Sequence, residues 1–297
     1  MTRDPDASPP DTPRKSATPR TPRTPDAPDL LENGGEPVHP LLAHLLPALA
    51  LAETRRLMLH PLAIAGLALY LLGLATTEWA PRPAYSALTN GFVVLWGLPI
   101  FFAATLTASA TRRAGTDELL AVTPVGRNLR TAACCLAGLG PFLLACAIQA
   151  VMVTVYVVAD VELERFPSVH EIAAGPLCML GACFLGVAVA RWLPWPGVSV
   201  LVMLALIVVN QRVEPHHSTL SMLGLYVEFA RWGPPPYLEG VGFLPGSPAW
   251  HALYLLALSL GAGALAMTRD SDRRGLWVGI GAALVVTASV AAIRQLP

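Results

Sequence analysis

Apolar residues in this chain come in long runs, and the polar residues are gathered into the stretches between them. Seven runs have the length to cross a hydrocarbon core: approximately Leu57 to Thr77, Gly91 to Thr111, Thr131 to Ala159, Ile172 to Ala190, Trp192 to Gln211, Pro248 to Thr268 and Gly275 to Ile293. A helix needs about 17 to 25 residues for that crossing. The pattern therefore predicts an all-α, polytopic membrane helix bundle of about six to seven transmembrane helices. The fifth run is the weakest, because Pro194 and Pro196 leave Gly197 to Asn210 as its clean helical part.

Before the first run, residues 38–56 repeat apolar positions at helical spacing. Val38, Leu42, Leu45, Leu46 and Leu49 fall on one stripe, and the segment closes on Glu53, Arg55 and Arg56. This pattern predicts an interfacial helix leading into the first span. Residues 1–37 carry frequent prolines, mixed charge and a Thr-Pro-Arg unit at positions 12, 18 and 21. Such a stretch buries too little surface to offset its ordering entropy, so it is expected to be a disordered Pro/Thr-rich tail. Between the fifth and sixth runs, Ser218 to Arg231 is strongly apolar and is expected to rest on, or dip into, the outer leaflet.

Composition agrees with the pattern: 54% of the 297 residues are hydrophobic and 13% charged, against about 25% charged in soluble domains. The 20 basic and 20 acidic residues cancel, so no surplus exists to neutralise nucleic-acid phosphates. Their placement carries more information. Arg55, Arg56, Arg112, Arg113, Arg127, Arg130, Arg191, Arg269, Arg273 and Arg274 flank one set of run ends, while only Arg82, Arg165, Arg212, Arg231 and Arg294 flank the other. The positive-inside rule then puts the N-terminus in the cytoplasm and, with seven crossings, the C-terminus outside.

Candidate chemistry is sparse. Lys15 is the single lysine, so no phosphate loop ending in Gly-Lys-Ser/Thr exists and ATP is not hydrolysed by that route. The runs contain no Asp, Glu, Lys or Arg, which disfavours an ion-coupled carrier, although Gln149 and Asn210 are polar groups within them. His170-Glu171 is not followed by a second histidine at zincin spacing, and Glu214, His216 and His217 lack further ligands. Cys134, Cys135, Cys146, Cys178 and Cys183 read as small packing residues. Glycines such as Gly175, Gly181 and Gly186 read as close-packing positions between helices. No metal, cofactor or catalytic centre is expected, and the chain is not expected to be an enzyme.

The most organised polar stretch is Thr111 to Thr131. Thr116 is placed to cap a helix whose first turn holds Asp117 and Glu118, where acids match the positive end of the macrodipole. Leu119, Leu120 and Val122 follow, Pro124 stops the helix, and Asn128 is expected to cap the next one. Residues Arg113 to Arg127 read Arg-x-x-x-Asp-Glu-Leu-Leu-x-x-x-Pro-x-Gly-Arg. With this loop between the second and third spans, the chain from Val38 to Thr268 resembles the membrane-spanning permease subunit of a type-2 ABC exporter.

The resemblance implies that the loop is a cytoplasmic coupling helix seated in a cleft of a separate ATP-binding subunit. Its contacts would be Glu118, Leu119, Leu120 and Pro124, with Arg113, Asp117 and Arg127 beside them, and Glu53, Arg55 and Arg56 would belong to the connecting helix. It also implies a second permease subunit, identical or not, paired around a substrate path in the lipid bilayer. The seventh span departs from the resemblance, since such permeases commonly have six and keep both ends inside. Two readings compete with it: a non-transporting scaffold that recruits partners through its tail, and an ion-coupled carrier.

Overall fold

The computed structural model describes residues 39–77, 87–88, 93–113, 115, 126–163, 165–193, 195, 197–213, 232–233 and 244–295. The expected tail, the loop helix around Asp117 to Leu120 and the outer segment Ser218 to Arg231 lie outside the described residues. Among those described, the fold is all-α apart from a two-residue parallel pairing of β1 (Trp232–Gly233) with β2 (Leu244–Pro245).

The first two helices among the described residues are α1 (His39–Met58) and α2 (Pro61–Ala75), joined at a bend of 60°. The bend has a local cause. Pro61 pushes the preceding His60 out of the helical region, to φ −66° and ψ 134°, and proline itself suits a first turn where its missing N–H has no partner to lose. His60 Nδ1 then accepts from the Leu62 amide at 3.2 Å and caps α2.

A π-helical turn at Val93–Gly97 leads into α3 (Leu98–Ala108) and the short α4 (Ala110–Arg113). Next come α5 (Arg127–Ala137) and α6 (Leu139–Val158), which run on as one 32-residue apolar element through Gly138. Then follow α7 (Val169–Trp192), α8 (Val198–Val213), α9 (Pro248–Asp270) and α10 (Arg274–Gln295).

Among the described residues, four helices are long and apolar enough to cross a membrane: Arg127–Val158, α7, α9 and α10. The α1–α2 pair makes a fifth if it counts as one bent span. This corrects the expected six to seven. The other runs fall short for local reasons. α2 has 15 residues because Pro61 sets its start. The second run yields an apolar helix only over Leu95–Ala108. In the fifth run, α7 itself continues through Trp192, and Gly197 takes a left-handed φ of 81°, so the apolar helix covers only Val198–Val209.

α7 is the central helix, with α3, α6 and α9 against it. Its start is a capping box: the Glu171 amide donates to Ser168 Oγ at 3.4 Å, and the Ser168 amide donates to Glu171 Oε2 at 2.7 Å. Its apolar neighbours gain little from excluding water in lipid, so close van der Waals contact must hold them. Glycine makes that contact possible. A Cβ on Gly186 would stand 2.7 Å from the Phe101 carbonyl oxygen, and one on Gly181 would stand 2.7 Å from Ser259 Oγ.

α10 is packed differently. A Cβ on Gly279 would meet nothing within 4 Å, and only Ala288, Ala291 and Gln295 of this helix are buried. Val285 and Ile293 are 63% and 72% exposed, as is Leu201 of α8 at 65%. An aqueous surface does not carry apolar faces on this scale, whereas a lipid-facing one does. The chain is a polytopic, largely helical membrane protein. All five cysteines are free thiols.

Candidate functional site

The stretch from Thr111 to Thr131 stands on two described feet. The first is α4, where Arg112 and Arg113 are both exposed. Arg112 Nη1 donates to the Ala190 carbonyl, in the last turn of α7, at 3.4 Å, while Arg113 Nη2 donates back to the Leu106 carbonyl. The second foot is the start of α5. Its cap corrects the expectation for Asn128, because the extended residue is Gly126, at φ −58° and ψ 154°, and the helix begins at the exposed Arg127. Asn128 thus lies inside the first turn, where its Oδ1 accepts from the Leu129 amide at 2.7 Å.

Just past this start, Thr131 is fully buried. Its hydroxyl donates to Asp270 Oδ2 at 2.6 Å, and Arg191 Nε lies 3.4 Å from the same oxygen. An Arg191 guanidinium nitrogen also reaches Cys134 Sγ at 3.8 Å. Four helix ends are therefore joined: α4 through Arg112, α5 through Thr131, α7 through Arg191 and Ala190, and α9 through Asp270. Arg191 closes α7, where a cation suits the negative end of the macrodipole. Beside the knot, the Trp192 indole donates to the Leu265 carbonyl at 2.7 Å, and the Arg269 guanidinium sits 5.5 Å from the Trp192 ring.

The expected connecting helix reaches the same end. In α1, Glu53 and Arg56 form an ion pair at 3.7 Å, and Arg55 is exposed. The helix lies so close to α6 that a Cβ on Gly140 would run into Thr54 Cγ2. At the bend beyond it, burial and then the charges of Arg113 and Arg56 hold the His60 imidazole below its ordinary value of 6.5. Thus Arg56 and Arg113, taken from two separate stretches of sequence, act on one histidine. Asp117, Glu118, Leu119, Leu120 and Pro124 lie outside the described residues, so their side chains have no placement.

The opposite end carries two further polar ties. Arg165 grips both carboxylate oxygens of the buried Glu171, with Nη1 at 3.1 Å from Oε2. His251 Nδ1 and Gln295 Oε1 lie 2.9 Å apart, both buried, and clip the last turn of α10 to the first turn of α9. Among the described residues, no group of three or more His, Cys, Asp and Glu is placed to hold a metal ion.

Sequence reasoning counted Arg191 only as a topology charge and passed over Asp270. The available signal was weak: each closes an apolar run at the arginine-rich end, and nothing in the spacing pairs them. Comparison with protein-family models, with curated proteins and with solved structures finds no match for this chain.

Proposed function

We propose that the chain is the permease subunit of an ATP-driven transporter of the type-2 ABC kind. In this reading it exports a substrate across the cytoplasmic membrane, alternating between conformations as a separate ATP-binding subunit hydrolyses ATP. It pairs with a second permease subunit, and it is not itself an enzyme. The observation that supports this reading is the anchoring of the Thr111–Thr131 stretch. Its feet are bonded to the ends of α7 and α9, through Arg112 to Ala190 and Thr131 to Asp270. A push on the coupling helix would then be delivered to the central helix of the bundle instead of dissipating in a slack loop.

Topology follows the arginines. The end bearing Arg112, Arg191 and Asp270 is cytoplasmic, α1 approaches that end at Arg56, and α10 leaves from it to finish at the other side beside His251. This leaves the N-terminus inside and the C-terminus outside.

The test is co-purification from detergent-solubilised membranes of the native host, followed by transport in vesicles. An ATP-binding subunit should be recovered with the chain, and Glu118→Ala combined with Leu119→Ala should release it and abolish ATP-dependent transport. Recovery of no such subunit, together with intact transport in the double variant, would end the proposal.

A further inference from the structure

A groove of about 630 Å³ runs along the seam between α9 and α10. Its walls are apolar, with Leu258, Leu265, Trp277 and Leu284 among them, and Arg269 and Arg274 line its arginine-rich end, next to Trp192. Small residues open it: a Cβ on Gly261 would come no closer than 4.0 Å to Leu284, and one on Gly281 no closer than 4.0 Å to Ala264. From Arg269 back to Ala257, twelve residues of helix rise about 18 Å, close to the depth of one leaflet of a hydrocarbon core about 30 Å thick.

Among the described residues, neither Arg269 nor Arg274 at the mouth forms an ion pair. α10 begins with Arg274 and has no acidic residue in its first turn, so cations stand at the positive end of its macrodipole, the opposite of the favourable arrangement. Of the acids between α9 and α10 in sequence, Asp270 is engaged by Thr131 and Arg191, which leaves Asp272 as the single acid beside Arg269, Arg273 and Arg274. An anion at this mouth would meet the guanidinium groups and the helix N-terminus together, while the tryptophans suit the headgroup level of a bilayer.

We infer that the α9–α10 groove is a binding site for an anionic phospholipid. Its acyl chain lies in the apolar trough, and its phosphate sits between Arg269 and Arg274. This rests on the groove and its charges, independently of any transport partner.

The experiment reconstitutes the full chain in nanodiscs of dioleoyl phosphatidylcholine, doped with brominated phosphatidylglycerol or brominated phosphatidylcholine. The quenching of Trp277 is read as the difference between the wild type and Trp277→Phe. Phosphatidylglycerol should quench Trp277 at lower mole fraction than phosphatidylcholine. Arg269→Gln with Arg274→Gln should remove that preference, by about fivefold for each arginine. Gly261→Leu, which fills the trough, should reduce quenching by both lipids, and Arg294→Gln at the far end of α10 should change nothing. Equal quenching by the two lipids in the wild type overturns the inference, whether or not the variants fold. So does a disulfide formed between two Gly281→Cys chains, which would show a second copy covering the groove, or displacement by glycerol phosphate lacking acyl chains.

Discussion

Thr131 donates its hydroxyl to Asp270 at 2.6 Å, joining two helix ends that are 139 positions apart in the chain. The bond is made at the base of the stretch that sequence singles out as the chain's chief polar element. It places a buried threonine and a largely buried carboxylate beside Arg191, where water cannot easily replace either partner.

Asp270→Ala leaves Arg191 partly buried without its counter-charge and Thr131 without its acceptor. Removing one partner of such a pair should cost about 2–4 kcal/mol, whereas Thr131→Val, which removes a single hydrogen bond, should cost about 1–2 kcal/mol. Thermal unfolding in detergent measures both. Equal small losses would show that the knot adds nothing to stability.

At Gly186, α7 closes on the backbone of α3. The absent Cβ would fall 2.7 Å from a backbone oxygen, which cannot swing aside as a side-chain tip can. Gly186→Leu should therefore destabilise the bundle by about 1–3 kcal/mol or more, and Gly186→Ala by less. Gly279→Leu, on the open face of α10, should be tolerated. Comparing the yield of folded protein by size-exclusion chromatography for the three variants checks the contrast.

His60 stands at the bend outside α2 and caps it as a neutral imidazole. Because burial and the charges of Arg113 and Arg56 lower its pKa, folding favours the uncharged ring. Its contribution is then fully present above the ordinary value of 6.5 and is lost as pH falls through the lower folded value. His60→Asn keeps an accepting oxygen at the cap but does not titrate. The melting temperature of this variant should fall less than that of the wild type between neutral and acidic pH; parallel falls would exclude His60 as the cause.

His251 and Gln295 are both buried, and their contact holds the last turn of α10. Gln295→Leu should leave the His251 ring without this partner and loosen the end of α10, at a cost of about 1–3 kcal/mol. Hydrogen exchange across residues 285–295, followed by mass spectrometry, should rise there and remain unchanged in α7.

The outline of the protein was open to reading from its sequence. Long apolar runs in a chain with so little charge have only one solvent that suits them, so the helical membrane class followed from pattern alone. The glycines of α7 marked its close contacts, because a missing side chain acts where it stands; the bend at Pro61 falls inside the run Leu57 to Thr77 that the pattern reads as one span.

What needed the tertiary structure was everything set by distant neighbours. The length of a hydrophobic run did not determine the length of a helix, since α2 has 15 residues from Pro61 and the second run yields an apolar helix only over Leu95–Ala108. The cap of α5 moved from Asn128 to Gly126, because backbone conformation and not side-chain type decided where that helix begins. The partnership of Thr131, Arg191 and Asp270 had no local signature at all. A carboxylate chooses its donors by proximity in space, and only the packing of α5, α7 and α9 brings those three side chains within reach.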